Sequence, residues 1–367
     1  MTKKPIKNIT EMKRILKIFA VVVILSALSA QSVMAGNDER RGTAGCSELL
    51  INPWTRSSGW GGVNIANTRG IESMFNNVAG LSFVNNVEVA YSSTLLYGGK
   101  NGLNSGAAIN AFGLGVRVFE SGVLGVYVMS VSFGEQQVTT YDSPDPGVNG
   151  TFSPSLMNIN VGYSHSFTNS IKGGVVFKLA TESTADISGS GFAIDAGIQY
   201  VTGEEDELKF GISLKNWGPA MSFDGPGLSL TMVNDAGNNF SVQTRPADME
   251  LPTCLNIGLS YDFLFEKWDQ RLTVAGAFTS NAFLRDNYTL GLESGLLNMV
   301  QLRCGYVMQP GLWTDAATAN SGFSAGASVD IPLSKKEGSN TGITIDYSYR
   351  TASSFKGTHS FGANFRF

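Results

Sequence analysis

The sequence predicts an all-β protein, a 14-stranded antiparallel β-barrel that crosses a membrane. Three observations predict this fold: an N-terminal segment with the composition of an export signal, fourteen strand-like segments with apolar residues at alternate positions, and a last strand that ends on Phe367. A soluble sandwich would contain similar strands. It would not explain the export signal together with the terminal aromatic residue.

The last strand, residues 357–367, carries the plainest signal. Phe361, Phe365 and Phe367 fall on one side of an extended chain, and polar residues and glycine fall on the other. This pattern looks like the insertion signal of bacterial outer-membrane barrels. We expect the last strand to pair with the first, because an open edge in lipid would leave backbone groups without hydrogen bonds.

Residues 1–35 have the features of a cleaved signal peptide. Six basic residues precede an apolar run at 18–30, and small residues follow at 33–35. The run is shorter than the roughly 20 residues of a spanning helix, which disfavours a transmembrane anchor. A lipoprotein anchored at Cys46 is a further alternative, which the charged residues between the run and Cys46 disfavour.

Charge and composition indicate which classes of protein this chain can belong to. The 26 basic and 30 acidic residues become 20 and 29 after removal of the signal, a net charge of −9, so nucleic acid is an unsuitable partner. The 43 glycines, the abundant Phe and Tyr and the lack of a second long apolar run fit a β-rich membrane protein. Three scattered cysteines allow at most one disulfide.

Residues 36–85 differ from the rest of the chain. They combine helix-like pieces at 46–51 and 67–75 with glycine-rich turns, and they show no sustained period of two. We predict that they form a plug with short helices inside a barrel formed by residues 86–367.

The run GTAGCSELLINPWTRSSGWGGVNIANTRGIESMFNNVAGLSF resembles the opening of the PorV/PorQ family, FadL-like outer-membrane proteins associated with the type IX secretion system. The chain departs from the family pattern at Asn76, where the family has Trp, and at Val78, where it has Pro. Matching residues are Leu49, Leu50, Arg56, Gly61 and Gly62 in the first motif and Gly70, Ile71, Glu72, Phe75, Asn77, Ala79, Gly80 and Leu81 in the second.

Four of these residues form the proposed plug motif: Gly61, Gly62, Asn77 and Gly80. Glycines would let the backbone approach the barrel wall closely, and an Asn side chain can satisfy buried backbone groups. A purely structural plug and a ligand-contacting plug are both compatible with this motif.

Alternation predicts strands at fourteen places, with apolar residues toward lipid and small or polar residues toward the lumen. The long connections at 134–154, 217–252 and 310–322 all fall on one side, and short turns alternate with them, as expected when both chain ends are periplasmic. The strands are at 86–96, 105–119, 122–133, 155–167, 171–182, 190–201, 207–216, 253–263, 271–280, 287–294, 299–309, 323–332, 342–350 and 357–367.

The sequence contains no motif for catalysis or metal binding. It lacks CxxC, HExxH, Walker and acidic calcium-loop patterns. Residues 322–326 match G-x-S-x-G, but here the motif opens a barrel strand rather than a strand-to-helix turn. His165 and His359 are expected near opposite ends of the barrel. We predict no enzymatic activity, no metal and no cofactor.

The long connection 217–252 contains more apolar residues than a solvated loop needs. It either folds over the barrel mouth or forms a docking surface for a secreted partner together with residues of two other loops. The candidate partner-binding residues are Tyr141, Trp217, Met221, Phe223, Leu230, Met232, Phe240 and Trp313.

The resemblance implies a non-enzymatic outer-membrane barrel of the type IX secretion system. Such a protein would bind secreted cargo proteins or their C-terminal signal domain, work with other secretion-system subunits and pass the cargo to surface attachment. The alternative is a FadL-like channel for the uptake of hydrophobic small molecules, because a fold does not fix a function.

Overall fold

The computed structural model describes residues 37–97, 107–145, 147–265, 269–296, 299–309, 320–334, 341–353 and 356–367. These residues form a closed antiparallel barrel of fourteen strands, which confirms the predicted fold class. The predicted signal peptide and Trp313 lie outside the described residues.

All fourteen predicted strands are present, and their ends agree with the predicted ends to within three residues. Two short α-helices, α1 Thr55–Ser58 and α2 Ser73–Asn76, precede them. The strands are β1 Val87–Leu95, β2 Ala108–Arg117, β3 Gly122–Ser132, β4 Ser155–Ser166, β5 Ile171–Thr184, β6 Ile187–Thr202, β7 Leu208–Trp217, β8 Cys254–Phe265, β9 Gln270–Asn281, β10 Asn287–Leu296, β11 Val300–Met308, β12 Asn320–Pro332, β13 Gly342–Ala352 and β14 Thr358–Arg366.

The barrel closes between its first and last strands, as predicted. β1 and β14 are antiparallel, with Glu88 opposite Arg366 at one end and Leu95 opposite His359 at the other. The backbone N–H of Phe367 adds a hydrogen bond of 2.9 Å to the carbonyl oxygen of Val87. Closure satisfies the backbone groups that an open sheet would leave at its edges.

The two faces of the wall follow the alternation in the sequence. In β4, Met157, Ile159 and Val161 are exposed on the outside, whereas Asn158 and Asn160 are buried on the inside. The last strand has Phe361 and Phe365 outside and Ser360 and Asn364 inside. The outer surface is therefore an apolar belt, and the inner surface is polar or small.

The two ends of the barrel differ in their connections. We call one end the turn rim, where the short segments 118–121, 167–170 and 203–207 join strands, and the other the loop rim, where 133–154 and 218–253 join strands. The long connection 218–253 contains a hairpin, in which Ser229–Val233 pairs with Asn239–Gln243. Both long connections lie on the same rim, as the sequence predicted.

The N-terminal segment, residues 37–86, lies inside the barrel, and we call it the plug. It contains α1, α2 and short 3₁₀ helices at Ser47–Leu50 and Val78–Phe83. The second helix begins later than predicted, because residues 67–72 form turns. Within the described part of the chain, no helix has the length and apolar character needed to span a membrane.

Candidate functional site

The plug contacts one side of the barrel through apolar side chains. Trp54, Ile71, Met74 and Leu81 are almost completely buried in one cluster with residues of β1, β2, β3 and β5. Glycines on that wall make the approach possible: an added Cβ at Gly113 would lie 2.7 Å from Ile71 Cγ1. The lumen on this side is therefore filled by close packing.

A polar network joins the parts of the plug to one another. Asn76 Nδ2 donates to Ser57 Oγ over 2.5 Å and to Asn64 Oδ1 over 2.9 Å. Ser57 Oγ donates to Asn64 Oδ1, and Asn52 Nδ2 donates to Ser57 Oγ, each over 2.7 Å. Asn76, at the position where the PorV/PorQ pattern has Trp, thus forms hydrogen bonds with three other polar residues of the plug.

The predicted plug-motif residues lie at turns and close approaches. Gly61 and Gly62 have positive φ angles of 67° and 78°, which glycine adopts without strain. An added Cβ at Gly80 would lie 2.2 Å from the carbonyl oxygen of Thr68. Asn77 bridges plug and wall.

Asn77 makes its contacts through both ends of its side-chain amide. Its Nδ2 donates to the carbonyl oxygens of Ile65 and Ile198, each over 3.0 Å, and its Oδ1 accepts from Ala79 N over 3.2 Å. The amide therefore satisfies buried backbone groups of the plug and of β6.

On the opposite side, a cavity of about 220 Å³ separates the plug from the wall near the turn rim. Its lining includes six basic and four acidic side chains. Two ion pairs join neighbouring strands, Lys209–Asp262 and Arg303–Glu293, each at 2.5 Å, and a third, Arg366–Asp330 at 2.8 Å, joins β14 to β12 across β13. The lumen is therefore divided into an apolar side that is filled and a charged side that holds a cavity.

Glu72 of the plug lines this cavity and is almost completely buried. Burial raises the pKa of its carboxyl group to about 8; Arg56 opposes the rise and Asp346 adds to it. The plug therefore contains an acid that changes charge near neutral pH.

The hairpin at the loop rim has one apolar face. Leu230 lies opposite Val242 and Met232 opposite Phe240, so the four side chains point the same way. Their exposed fractions are 58 %, 37 %, 49 % and 44 %, respectively. We call these four residues the hairpin face.

The other candidate partner-binding residues divide into exposed and buried ones. Tyr141 and Trp217 are exposed. Met221 is only 4 % exposed, so it is not part of an exposed docking surface, whereas Phe223 is partly buried. Both lie under the start of the long connection, because Met221 forms a β-bridge with Met249 and packs beside Cys46.

An open recess of about 830 Å³ lies at the base of the hairpin. Phe223, Leu228 and Pro246 contribute apolar walls, and Asp224 and Arg245 contribute charge. The recess has the size of a small-molecule pocket.

The G-x-S-x-G match has no catalytic surroundings. Ser324 is buried in β12, and its Oγ donates to the carbonyl oxygen of Gly305 over 3.3 Å. His165 lies opposite Gly122 at the turn rim and His359 opposite Leu95 at the loop rim, as predicted. The two histidines are therefore at opposite ends of the barrel.

Sequence reasoning missed the buried charges and left open whether a disulfide forms. Lys178 and Asp195 occupy inward positions of β5 and β6, where their polar character alone gave no sign that they pair. All three cysteines are free, and Cys46 is buried inside the barrel mouth, which disfavours the lipoprotein alternative.

Comparison with known proteins gives a fold but no close relative. No protein-family model and no curated protein sequence matches this chain. Among solved structures, the chain is similar to the CymD monoaromatic hydrocarbon channel, with 13% identity and a TM-score of 0.55 over 87% of this chain and 98% of that one. It is also similar to a Pseudomonas aeruginosa FadL homologue (12% identity, TM-score 0.52, 87% and 99% coverage).

The Pseudomonas putida toluene transporter TodX is a third similar structure, with 12% identity and a TM-score of 0.51 over 86% of this chain and 98% of that one. None of these three structures is of a PorV or PorQ protein. The chain is a closed 14-stranded antiparallel barrel whose fold is similar to that of these FadL-like channels.

Proposed function

We propose that this protein is an outer-membrane channel that admits small apolar molecules, and that it is not an enzyme. The observation that carries the proposal is the likeness in fold to hydrocarbon channels over nearly their whole length. The apolar belt outside the barrel supports a position in lipid, because only a closed barrel or a helix satisfies every backbone group there. The loop rim faces the outside of the cell in this proposal.

The hairpin face and the recess below it are the proposed first contacts for an apolar molecule. Four exposed apolar side chains on one face provide a surface from which water is readily displaced. The recess adjoins this hairpin and is large enough for a molecule with one or two rings.

Passage beyond the recess requires the plug to move. The apolar side of the lumen is closed by Trp54, Ile71, Met74 and Leu81, and the other side is lined by charges that an apolar molecule avoids. The plug is therefore the proposed gate, with its apolar contact to β1–β5 as the moving interface.

Uptake into proteoliposomes tests this function. Vesicles that contain the protein should take up a monoaromatic hydrocarbon faster than protein-free vesicles, whereas a sugar of similar size should enter both at the same rate. Replacement of the hairpin face by Ser (Leu230, Met232, Phe240 and Val242) should reduce hydrocarbon uptake several-fold while the barrel stays folded. Equal uptake with and without the protein would reject the channel function.

A second candidate function is the binding of secreted cargo proteins beside other secretion-system subunits. The exposed hairpin face favours it, because protein contacts concentrate in a few apolar and aromatic side chains. The same Ser variant separates the two functions: lost co-purification with secreted proteins and unchanged hydrocarbon uptake would support cargo binding. The opposite result would support the channel.

A further inference from the structure

Three potential metal ligands meet under the loop rim, away from the charged cavity. They are Cys46 and Glu48 of the plug and Glu182 of β5. The Cys46 Sγ and one carboxylate oxygen of each glutamate all lie within 4.8 Å of one another. Cys46 and Glu48 are buried, and Glu182 is partly buried.

The hydrogen bonding of the Glu48 carboxylate is a second observation that points to a ligand site. The Glu48 side chain is 1 % exposed, its Oε2 accepts no hydrogen bond from an N–H or hydroxyl donor among the described residues, and the carboxyl group of Glu182 lies within hydrogen-bond reach of its side chain. Its other oxygen accepts from the amide of Asn158 over 2.9 Å when that amide is oriented to satisfy its own contacts. Asn158 therefore fixes one carboxylate oxygen of Glu48, and the other oxygen receives no donor from the described part of the protein.

The cluster also lacks a compensating cation. Within the described parts of the chain, neither glutamate forms an ion pair with a Lys, Arg or His side chain. Two carboxylates that face each other in a buried place repel unless a proton or a metal ion lies between them. A metal ion would bind both and also replace the thiol proton.

The ligand set indicates the kind of metal. A thiolate with two carboxylates suits a borderline ion such as Zn²⁺, which binds sulfur at about 2.3 Å and oxygen at about 2.0–2.2 Å. Met221 Sδ lies 3.1 Å from Cys46 Sγ and adds further soft character beside the thiol. A hard cation such as Ca²⁺ needs more oxygen ligands than the cluster offers.

We propose that Cys46, Glu48 and Glu182 form a zinc site that ties the start of the plug to β5. The fourth position would be open to water, as in sites with three protein ligands. Because two ligands belong to the plug and one to the wall, metal binding would hold the plug in place at the loop rim. The proposal of this zinc site does not depend on the transport function proposed above.

Isothermal titration of the full-length protein in detergent micelles, after treatment with a chelator, tests the site. We expect one Zn²⁺ per chain and no heat from Ca²⁺. Cys46→Ser and Glu182→Gln should each weaken zinc binding at least about tenfold, and Asn158→Ala, which removes support of a ligand, by about tenfold. Cd²⁺ should produce a thiolate charge-transfer absorbance that depends on Cys46.

Cys254→Ser is the matched control, because Cys254 is also a free and buried thiol but lies outside the cluster. It should keep full zinc affinity and the Cd²⁺ absorbance. Heat-dependent gel mobility checks that each variant is folded. The proposal is overturned if the folded protein binds no stoichiometric zinc, or if Cys46→Ser and Glu182→Gln both leave the affinity unchanged, in which case the carboxylates share a proton.

Discussion

Lys178 of β5 and Asp195 of β6 form an ion pair inside the barrel, with 2.6 Å between Nζ and Oδ2 and side chains that are 1 % and 5 % exposed. Asn216 completes the arrangement, because its Oδ1 accepts from Lys178 over 2.9 Å and its backbone N–H donates to Asp195 over 2.7 Å. The pair joins two neighbouring strands, and β7 supplies the third member.

Loss of one member of this pair should destabilise the barrel. Asp195→Asn leaves Lys178 buried without a counter-charge, and we expect a loss of about 3–5 kcal/mol in the free energy of unfolding. The double variant Lys178→Met/Asp195→Leu should recover most of it, because no charge remains buried. Denaturant unfolding in micelles measures the free energy of unfolding of the single and the double variant. A single variant as stable as the parent would contradict the role of the pair.

The contact between plug and wall at Gly305 should not tolerate a methyl group. An added Cβ would lie 2.5 Å from the backbone carbonyl of Trp60, so Gly305→Ala should displace the plug or cost about 1–3 kcal/mol. Gly276→Ala is the control, because its added Cβ meets only Leu290 at 3.6 Å. Proteolysis of the plug in the folded protein measures the difference. Equal resistance in both variants would refute the close contact.

The stability of the protein should depend on pH through Glu72. Its pKa in the folded protein, about 8, exceeds the ordinary value of 4.5, so the folded state retains a proton that the unfolded chain releases. The stabilisation is complete below about pH 4.5 and is lost as the pH rises to about 8, on the order of 1 kcal/mol per pH unit.

Glu72→Gln should remove this dependence, because Gln resembles the protonated acid. We expect the variant to match the parent protein at pH 5 and to be the more stable of the two at pH 8. Thermal unfolding in micelles at both values measures this. A constant difference across the range would mean that Glu72 does not titrate there.

The orientation in the membrane can be tested with single cysteines. A membrane-impermeant maleimide applied to intact cells should label Tyr141→Cys and Leu230→Cys at the loop rim and leave Thr168→Cys at the turn rim unlabelled. The parent protein gives the background of its own cysteines. Labelling of Thr168→Cys alone would mean that the turn rim, and not the loop rim, faces the outside of the cell.

The terminal aromatic residue should matter for assembly. Phe367 is 54 % exposed on the outer side of the barrel, so Phe367→Ser removes little packing, yet we expect less inserted protein because the residue belongs to the proposed insertion signal. Phe119→Ser, at a ring that is 70 % exposed in a turn, is the control and should insert normally. Quantification of folded barrel in outer membranes measures both. Unchanged levels of folded barrel for Phe367→Ser would show that Phe367 is not part of an insertion signal.

The amino-acid sequence by itself determined the wall of this protein. Alternation with a period of two is a local property, so β4 and β14 could be located and their outward faces assigned from residues such as Ile159 and Phe361. The alternation of short and long connections then fixed which rim carries the loops. The number of strands followed from the same pattern.

The contents of the lumen depended on the tertiary structure. Lys178 meets Asp195 because β5 and β6 pair in one particular register, and Cys46 meets Glu182 because docking of the plug brings distant segments together. Met221 looked like an exposed loop residue, but it is buried because its segment folds back onto the plug. Such contacts depend on strand register and plug position, which single-sequence periodicity does not contain.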